Sequence, residues 1–282
     1  MDAMRAARGF SLGYSTMGDA ALTFEEACGL AVRFGLDAVE LRALGGGTDL
    51  PGYFAAHGWP ATVPPVSIPV VGTSLSLLSA TEADLDAFFA LAEVAARLKA
   101  PYLRVFGEGG APFTASLGPE ELEIAAHRVV ELREGLAAQG LEGIVEPLLE
   151  THDVFSSSER CLALNRLLAA NLCPPVPILW DSHHTWCLAG EEPEATWAAL
   201  GPLVRHVHYK DSVSDAAGKE GFRYVVPGAG EFPGGRLAAL LRGAGFAGVV
   251  SLEWERLWHP ELPPLAEALP PFASGRAFEV NA

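Results

Sequence analysis

The chain has 282 residues, half of them apolar, with 19 Lys and Arg against 35 Asp and Glu, a formal charge of −16. That apolar content excludes intrinsic disorder, and the acidic balance speaks against nucleic-acid partners, whose phosphates are neutralised by Lys and Arg. No run of about 18 apolar residues is present to cross a membrane, and residues 1–8 are not followed by the apolar stretch of a signal peptide, so a cytoplasmic protein is expected.

Short apolar, β-prone runs recur along the chain at Phe10–Ser15, Asp37–Arg42, Ile68–Leu75, Pro101–Gly107, Gly143–Glu150, Pro175–Asp181, Leu203–Tyr209 and Ala247–Trp254. The intervals leave room for a helix and two loops, which a parallel crossover requires. Between the runs, Thr23 and Glu26 form a capping box before an apolar face at Phe24, Ala27, Cys28, Ala31 and Phe34. The second crossover, 45–58, is glycine-rich and lacks a clean periodic face. Thr81 introduces a helix over 84–99, and Pro119 and Gly140 bracket another through Leu122–Leu136. Ser156 with Glu159 caps the next, before Leu162–Leu168, and a short helix covers Arg236–Leu241. Residues after Pro260 read as a tail packed on the outside or on a partner.

Eight strands alternating with helices, several apolar almost throughout, predict an α/β protein with a covered parallel sheet. Eight repeats in this length fit a single (β/α)8 TIM barrel over residues 1–282 better than an open sheet. The cysteines at 28, 161, 173 and 187 have neither disulfide nor zinc-ligand spacing and read as reduced thiols. Gly107-Glu108-Gly109-Gly110 is neither a P-loop nor a dinucleotide fingerprint and reads as a loop.

Active sites of such barrels lie at the C-terminal strand ends. The first four runs end in no obvious acid, base or ligand cluster, whereas the last four do. They read Glu150-Thr151-His152-Asp153, Asp181-Ser182-His183-His184, His206-Val207-His208-Tyr209-Lys210-Asp211 and Glu253-Trp254-Glu255. Glu150, Asp181, His208 and Glu253 make three carboxylates and one imidazole. Clustered carboxylates repel unless one is protonated or a cation is present, and oxygen-rich coordination with one imidazole suits Mn²⁺, Mg²⁺ or Co²⁺ somewhat better than a thiolate-rich structural zinc site. Four separate strand-end ion pairs are the plainer alternative.

These four segments, with Arg104-Val105-Phe106-Gly107 and the Gly228-Ala229-Gly230-Glu231 turn, resemble the xylose isomerase-like barrel family of sugar isomerases and epimerases. The resemblance spans nearly the whole chain. It implies one divalent cation (Mn, Mg, Co or Zn) on Glu150, Asp181, His208 and Glu253, with His184 facing the substrate or a second metal. It further implies that Glu150 and Glu253 act as acid and base on opposite sides of a metal-bound hydroxyketone, through an enediolate. A small-molecule sugar or polyol substrate and a homodimer or homotetramer go with it.

Other residues join this reading less directly. Lys210 shares strand parity with His208 and is placed to bind a substrate hydroxyl or oxyanion, or to pair with Asp211 or a neighbouring acid. His206 lies one layer deeper and reads as a hydrogen-bonded core histidine. His152 is placed to orient Glu150 or donate to substrate. Glu146 sits too low on its strand, and Glu255 competes with Glu253 as ligand. Trp faces suit sugars, and Trp186 and Trp258 are the candidates, whereas Trp180 and Trp254 are expected to pack against helices. A dehydratase of a keto-polyol or dehydroshikimate-like acid on the same site is the main alternative. An abasic-site endonuclease is disfavoured by the acidic surface and by Phe222-Arg223 where that branch needs an Asp-x-His pair, and a non-catalytic sugar sensor is the last alternative.

Overall fold

The computed structural model describes residues 9–108, 115–218 and 220–279. Gly109 and Gly110 of the glycine loop, and residues 1–8, lie outside the described residues. The strands are β1 Ser11–Ser15, β2 Ala38–Glu40, β3 Val70–Ser76, β4 Tyr102–Phe106, β5 Glu146–Glu150, β6 Ile178–Asp181, β7 Val204–Tyr209, β8 Ser212–Ser214, β9 Phe222–Tyr224 and β10 Val249–Leu252. Eight of them match the eight expected runs, each starting one to three residues later than the apolar stretch. At β5, for example, Ile144 and Val145 are apolar but sit in a turn on the carbonyl of Leu141, with Gly143 at φ 72.

The chain divides into two compact units, one of residues 1–68 with 206–282, the other of residues 69–205. In the first, β2, β1, β10 and β7 lie side by side in that order, all parallel. The antiparallel hairpin β8–β9 is inserted between β7 and the helix that leads into β10. In the second unit β6, β5, β4 and β3 are parallel neighbours. Here Val70, Leu148 and Leu179 are fully buried together beneath half-buried Tyr102; each such aliphatic side chain contributes about 1.5–3 kcal/mol by leaving water.

Helices fill the crossovers. Phe24–Phe34 has the expected capping box, Thr23 accepting from the Glu26 N–H and Glu26 accepting from the Thr23 N–H, and ends at left-handed Gly35. Glu82–Leu98 starts on the equivalent Thr81–Asp84 box, and Pro119–Ala138 has its proline in the first turn. The glycine-rich second crossover does hold a helix, Leu50–His57, because the Asp49 side chain accepts from the Gly52 N–H and Pro51 is tolerated in a first turn. Helix Ser158–Ala170 is capped by Ser157, not Ser156, whose hydroxyl instead donates to Asp153 O. Short helices at Ser182–Cys187 and Pro193–Leu200 were not expected. The expected Arg236–Leu241 helix runs over Gly234–Gly243. The segment after Pro260 folds back within the first unit as helix Leu265–Ala273, where buried Phe272 meets the rings of Tyr209 and Phe278 at 5.6 and 5.4 Å.

Candidate active site

In the first unit, strand parity puts His206, His208 and Lys210 on one face. Ser251 is in register with His208, and Glu253 follows just past the end of β10. Glu253 Oε2 lies 3.1 Å from His208 Nδ1 and 2.5 Å from Lys210 Nζ. The same ammonium reaches Glu255 Oε1 at 2.5 Å, and the Tyr224 hydroxyl from the hairpin donates to that oxygen at 3.2 Å. Lys210 is therefore clamped by two carboxylates rather than paired with Asp211. Asp211 instead accepts from the backbone N–H groups of Ser212, Gly228, Gly230 and Phe232, holding the turn before the last crossover helix. Gly230 is required there, because a Cβ would collide with the Asp211 carboxylate.

The other neighbour of His208 is Glu40, at the end of β2. Its Oε2 accepts from His208 Nε2 at 2.8 Å and from His206 Nε2 at 3.1 Å, and all three side chains are buried. Burial pushes the Glu40 carboxyl up, but the imidazoles of His208 and His206 outweigh it and hold it at about 2. Burial also holds the His206 ring below its usual value, against the pull of Glu40.

In the second unit, β5 and β6 end side by side, and Thr151 ties them. Its hydroxyl donates to Asp181 O at 3.1 Å and accepts from the Asp181 N–H at 2.8 Å. Asp181 then caps helix Ser182–Cys187 by accepting from the His184 N–H at 2.8 Å. Capping at this spacing explains why an Asp three residues before a His brings the two side chains together: His184 Nδ1 lies 3.3 Å from Asp181 Oδ2 and 3.2 Å from Thr151 O. Glu150, 1% exposed, pairs with buried Arg104 of β4, Nε to Oε2 3.3 Å. The Arg104 guanidinium also stacks 4.9 Å from the Phe106 ring.

His152 Nδ1 lies 3.3 Å from Asp153 Oδ2. Its ring lies 5.0 Å from that of His184 and 5.5 Å from that of Phe106. Burial opposes charging of this imidazole, yet the bond to Asp153 and the charges of Glu150 and Asp153 raise it above its ordinary value. Asp153 adopts φ 45 and accepts from the Glu108 N–H, bringing its side chain so close to Gly107 that no Cβ fits there.

The family model described as xylose isomerase-like TIM barrel matches residues 28–271. The chain belongs to this family. Its fold class is accordingly the α/β (β/α)8 TIM barrel. No curated protein matches the chain significantly. Among solved structures it is similar to a probable 3-DHS dehydratase, AsbF, involved in petrobactin synthesis in Bacillus anthracis, with 20% identity over 93% of this chain and 98% of that one and a TM-score of 0.71. The zinc-bound IOLI protein aligns at 17% identity over 95% and 98% of the two chains, TM-score 0.71. The 3-keto-D-glucoside 4-epimerase YcjR of E. coli aligns at 15% over 95% and 99%, TM-score 0.65. Identities this low establish the fold and leave the activity to the site.

Within this xylose isomerase-like chain, the first unit brings together the sequence-expected His208, Glu253 and Lys210. The second brings together Asp181, His184 and His152, with Glu150 at the adjoining strand end. Trp186 is half-buried with its ring 5.9 Å from His183, and Trp258 is 56% exposed. Trp180 and Trp254 pack as expected, their indole N–H groups donating to Thr185 Oγ1 and Pro263 O. Glu146 stays at the start of β5, paired with Arg133 at 2.7 Å. His206 is a hydrogen-bonded core histidine. The expectation that the first four strands end in no acid, base or ligand cluster is overturned by Glu40, the last residue of β2. The apolar run extends to Arg42, so the sequence places Glu40 inside the strand rather than at its end. In the sequence Arg104 stands only within its motif, although a lone arginine in an apolar strand is itself a signal, since buried charge demands a partner. No described helix is long and apolar enough to cross a membrane.

Proposed function

We propose that this chain is a metal-dependent isomerase or epimerase of a sugar or polyol, with Glu150 and Glu253 as its acid–base pair. The observation that carries the reading is a matched pair of strand ends: Glu150 is buried against Arg104 at 3.3 Å, and Glu253 against Lys210 at 2.5 Å. Two carboxylates of this kind are what a reaction needs that takes a proton from one face of a carbon and returns it from the other.

Glu150, Asp181, His208 and Glu253 would hold the cation in this proposal. Three carboxylates and an imidazole, each no more than 4% exposed, are a donor set for Mn²⁺, Mg²⁺, Co²⁺ or Zn²⁺. When bound, the cation would polarise the substrate carbonyl and stabilise the negative charge that develops beside it. Glu150 takes the proton from the carbon next to the carbonyl, and Glu253 supplies one to the opposite face. Lys210, touching Glu253, is placed to bind a substrate hydroxyl. His184 and His152 offer imidazole donors, and Trp186 and Trp258 offer apolar faces for the sugar ring. A single 1–282 domain, a cytoplasmic location and a homodimer or homotetramer belong to the same proposal.

Solvent deuterium exchange tests it. With the substrate found in a sugar and polyol screen, Glu150→Gln and Glu253→Gln should each abolish incorporation of deuterium at the reacting carbon. Retained exchange in both variants would remove the two-base mechanism.

One observation favours a second reading, dehydration of a keto acid. The Arg104 side chain is 8% exposed, and it meets Glu150 through Nε, 3.3 Å from Oε2, as an ion pair without a hydrogen bond. A buried guanidinium whose Nε makes no hydrogen bond suits a planar carboxylate. This reading predicts a conjugated, ultraviolet-absorbing product from a dehydroshikimate-like acid; turnover of neutral ketoses alone would exclude it.

A further inference from the structure

We infer that Glu40 is a positioning residue that locks His208 in the tautomer presenting Nδ1 to the site, with His206 as its anchor. Both imidazoles converge on one oxygen, Glu40 Oε2, His208 Nε2 at 2.8 Å and His206 Nε2 at 3.1 Å. An ionised carboxylate only accepts, so each ring must carry a proton on Nε2. In His208 this leaves Nδ1 as the nitrogen that faces Glu253, 3.1 Å from Oε2. A ring free to flip or to change tautomer would also offer a donor in that place. Glu40 removes that freedom.

His206 completes the device. Among the described residues its Nδ1 has no hydrogen-bond partner, so its ring is held through Nε2, which donates to the same Glu40 oxygen as His208. The whole group is buried, with Glu40 and His206 each 1% exposed and His208 fully covered. Water therefore cannot substitute for the carboxylate. A histidine ligand whose second nitrogen donates to a carboxylate is more basic and better aimed than one left to solvent, and loss of the carboxylate weakens metal binding by ~10–100-fold.

Glu40, His206 and His208 could also hold an ion of their own. The geometry favours the hydrogen-bonded role, because both nitrogens point at the same oxygen at ordinary hydrogen-bond distances rather than at a shared vacant point.

The assignment of His208 as a ligand rests on the proposed function, whereas the tautomer does not, and the experiment separates them. In metal-free, chelator-stripped protein labelled with ¹⁵N-histidine, His208, assigned by loss of its signals in His208→Gln, should show the Nε2–H tautomer. Glu40→Gln should give a mixture of tautomers. Calorimetric titration with Zn²⁺ should then show one ion per chain, bound ~10–100-fold more weakly by Glu40→Gln. An Nδ1–H tautomer in the parent protein overturns the inference even where the variant fails to fold. So does an affinity within twofold of the parent in a folded Glu40→Gln. Two ions per chain, one lost in Glu40→Gln, would make Glu40 a ligand instead. A parent that binds no Zn²⁺ but keeps the Nε2–H tautomer would sink the metal reading and leave the role of Glu40 on the ring intact.

Discussion

Lys210 and Glu253 form a buried ion pair, Nζ to Oε2 2.5 Å, with 2% and 4% of their side chains exposed. Glu255 shares the ammonium, so one cation serves two acids that face each other across it. Removing a partner from such a pair strands charge in a poorly solvated place, at about 3–5 kcal/mol. Lys210→Met should therefore destabilise the metal-free protein by about that amount in urea unfolding. Adding Glu255→Gln should recover part of the loss, because one stranded acid becomes neutral. A Lys210→Met variant as stable as its parent would show that the clamp contributes nothing.

Arg104 plays the equivalent part for Glu150. If a divalent cation also neutralises Glu150, the two cations overlap in effect. Arg104→Met should lower the melting temperature of chelator-stripped protein, and saturating Mn²⁺ should restore most of the difference. Equal losses with and without Mn²⁺ would mean that Glu150 gains nothing from the ion.

The turn over residues 228–232 hangs on a single carboxylate. Asp211→Ala leaves four backbone N–H groups, of Ser212, Gly228, Gly230 and Phe232, without their acceptor. Each buried donor left unsatisfied costs about 1–3 kcal/mol, less where water enters. Hydrogen exchange at Gly228 and Gly230 should accelerate by orders of magnitude in Asp211→Ala while amides of β4 stay protected. Unchanged protection in the turn would count against this role.

Much of the fold was legible because apolar strand runs and capping boxes are local signals. Thr23 with Glu26 acts over three residues, so sequence alone locates that helix start, whereas the helix after Thr81 begins at Glu82, two residues before the expected 84. The strand-end acids and histidines stood out because charge at the end of an apolar strand is expensive unless partnered. Glu40 did not stand out, as its partners His206 and His208 lie 166 and 168 residues away, and no local pattern reports such a pairing. Helix Leu50–His57 was hidden by its own composition: Pro51 and Gly52 oppose helix formation, and the Asp49 cap and burial of Leu50, Tyr53 and Phe54 override them.

The two capping boxes give the protein a defined acid response. The Glu26 carboxyl is held below its ordinary 4.5 by bonds from the Thr23 backbone N–H and hydroxyl, and Asp84 below 3.8 by the Thr81 hydroxyl and N–H. A carboxyl whose folded value lies below its unfolded one contributes stability that is complete above the unfolded value and is lost as pH falls through the folded one. The double variant Glu26→Gln, Asp84→Asn should therefore lose less melting temperature between about pH 5 and pH 3 than its parent. An identical acid slope would place the sensitivity elsewhere.

The central claim is that Glu150, Asp181, His208 and Glu253 serve one divalent cation. Calorimetric titration of chelator-stripped protein with Mn²⁺ tests it most directly. The account predicts one ion per chain in the parent and at least a tenfold weaker site in Asp181→Asn, with the fold retained. Absence of Mn²⁺ binding, or binding that Asp181→Asn leaves unchanged, would contradict it.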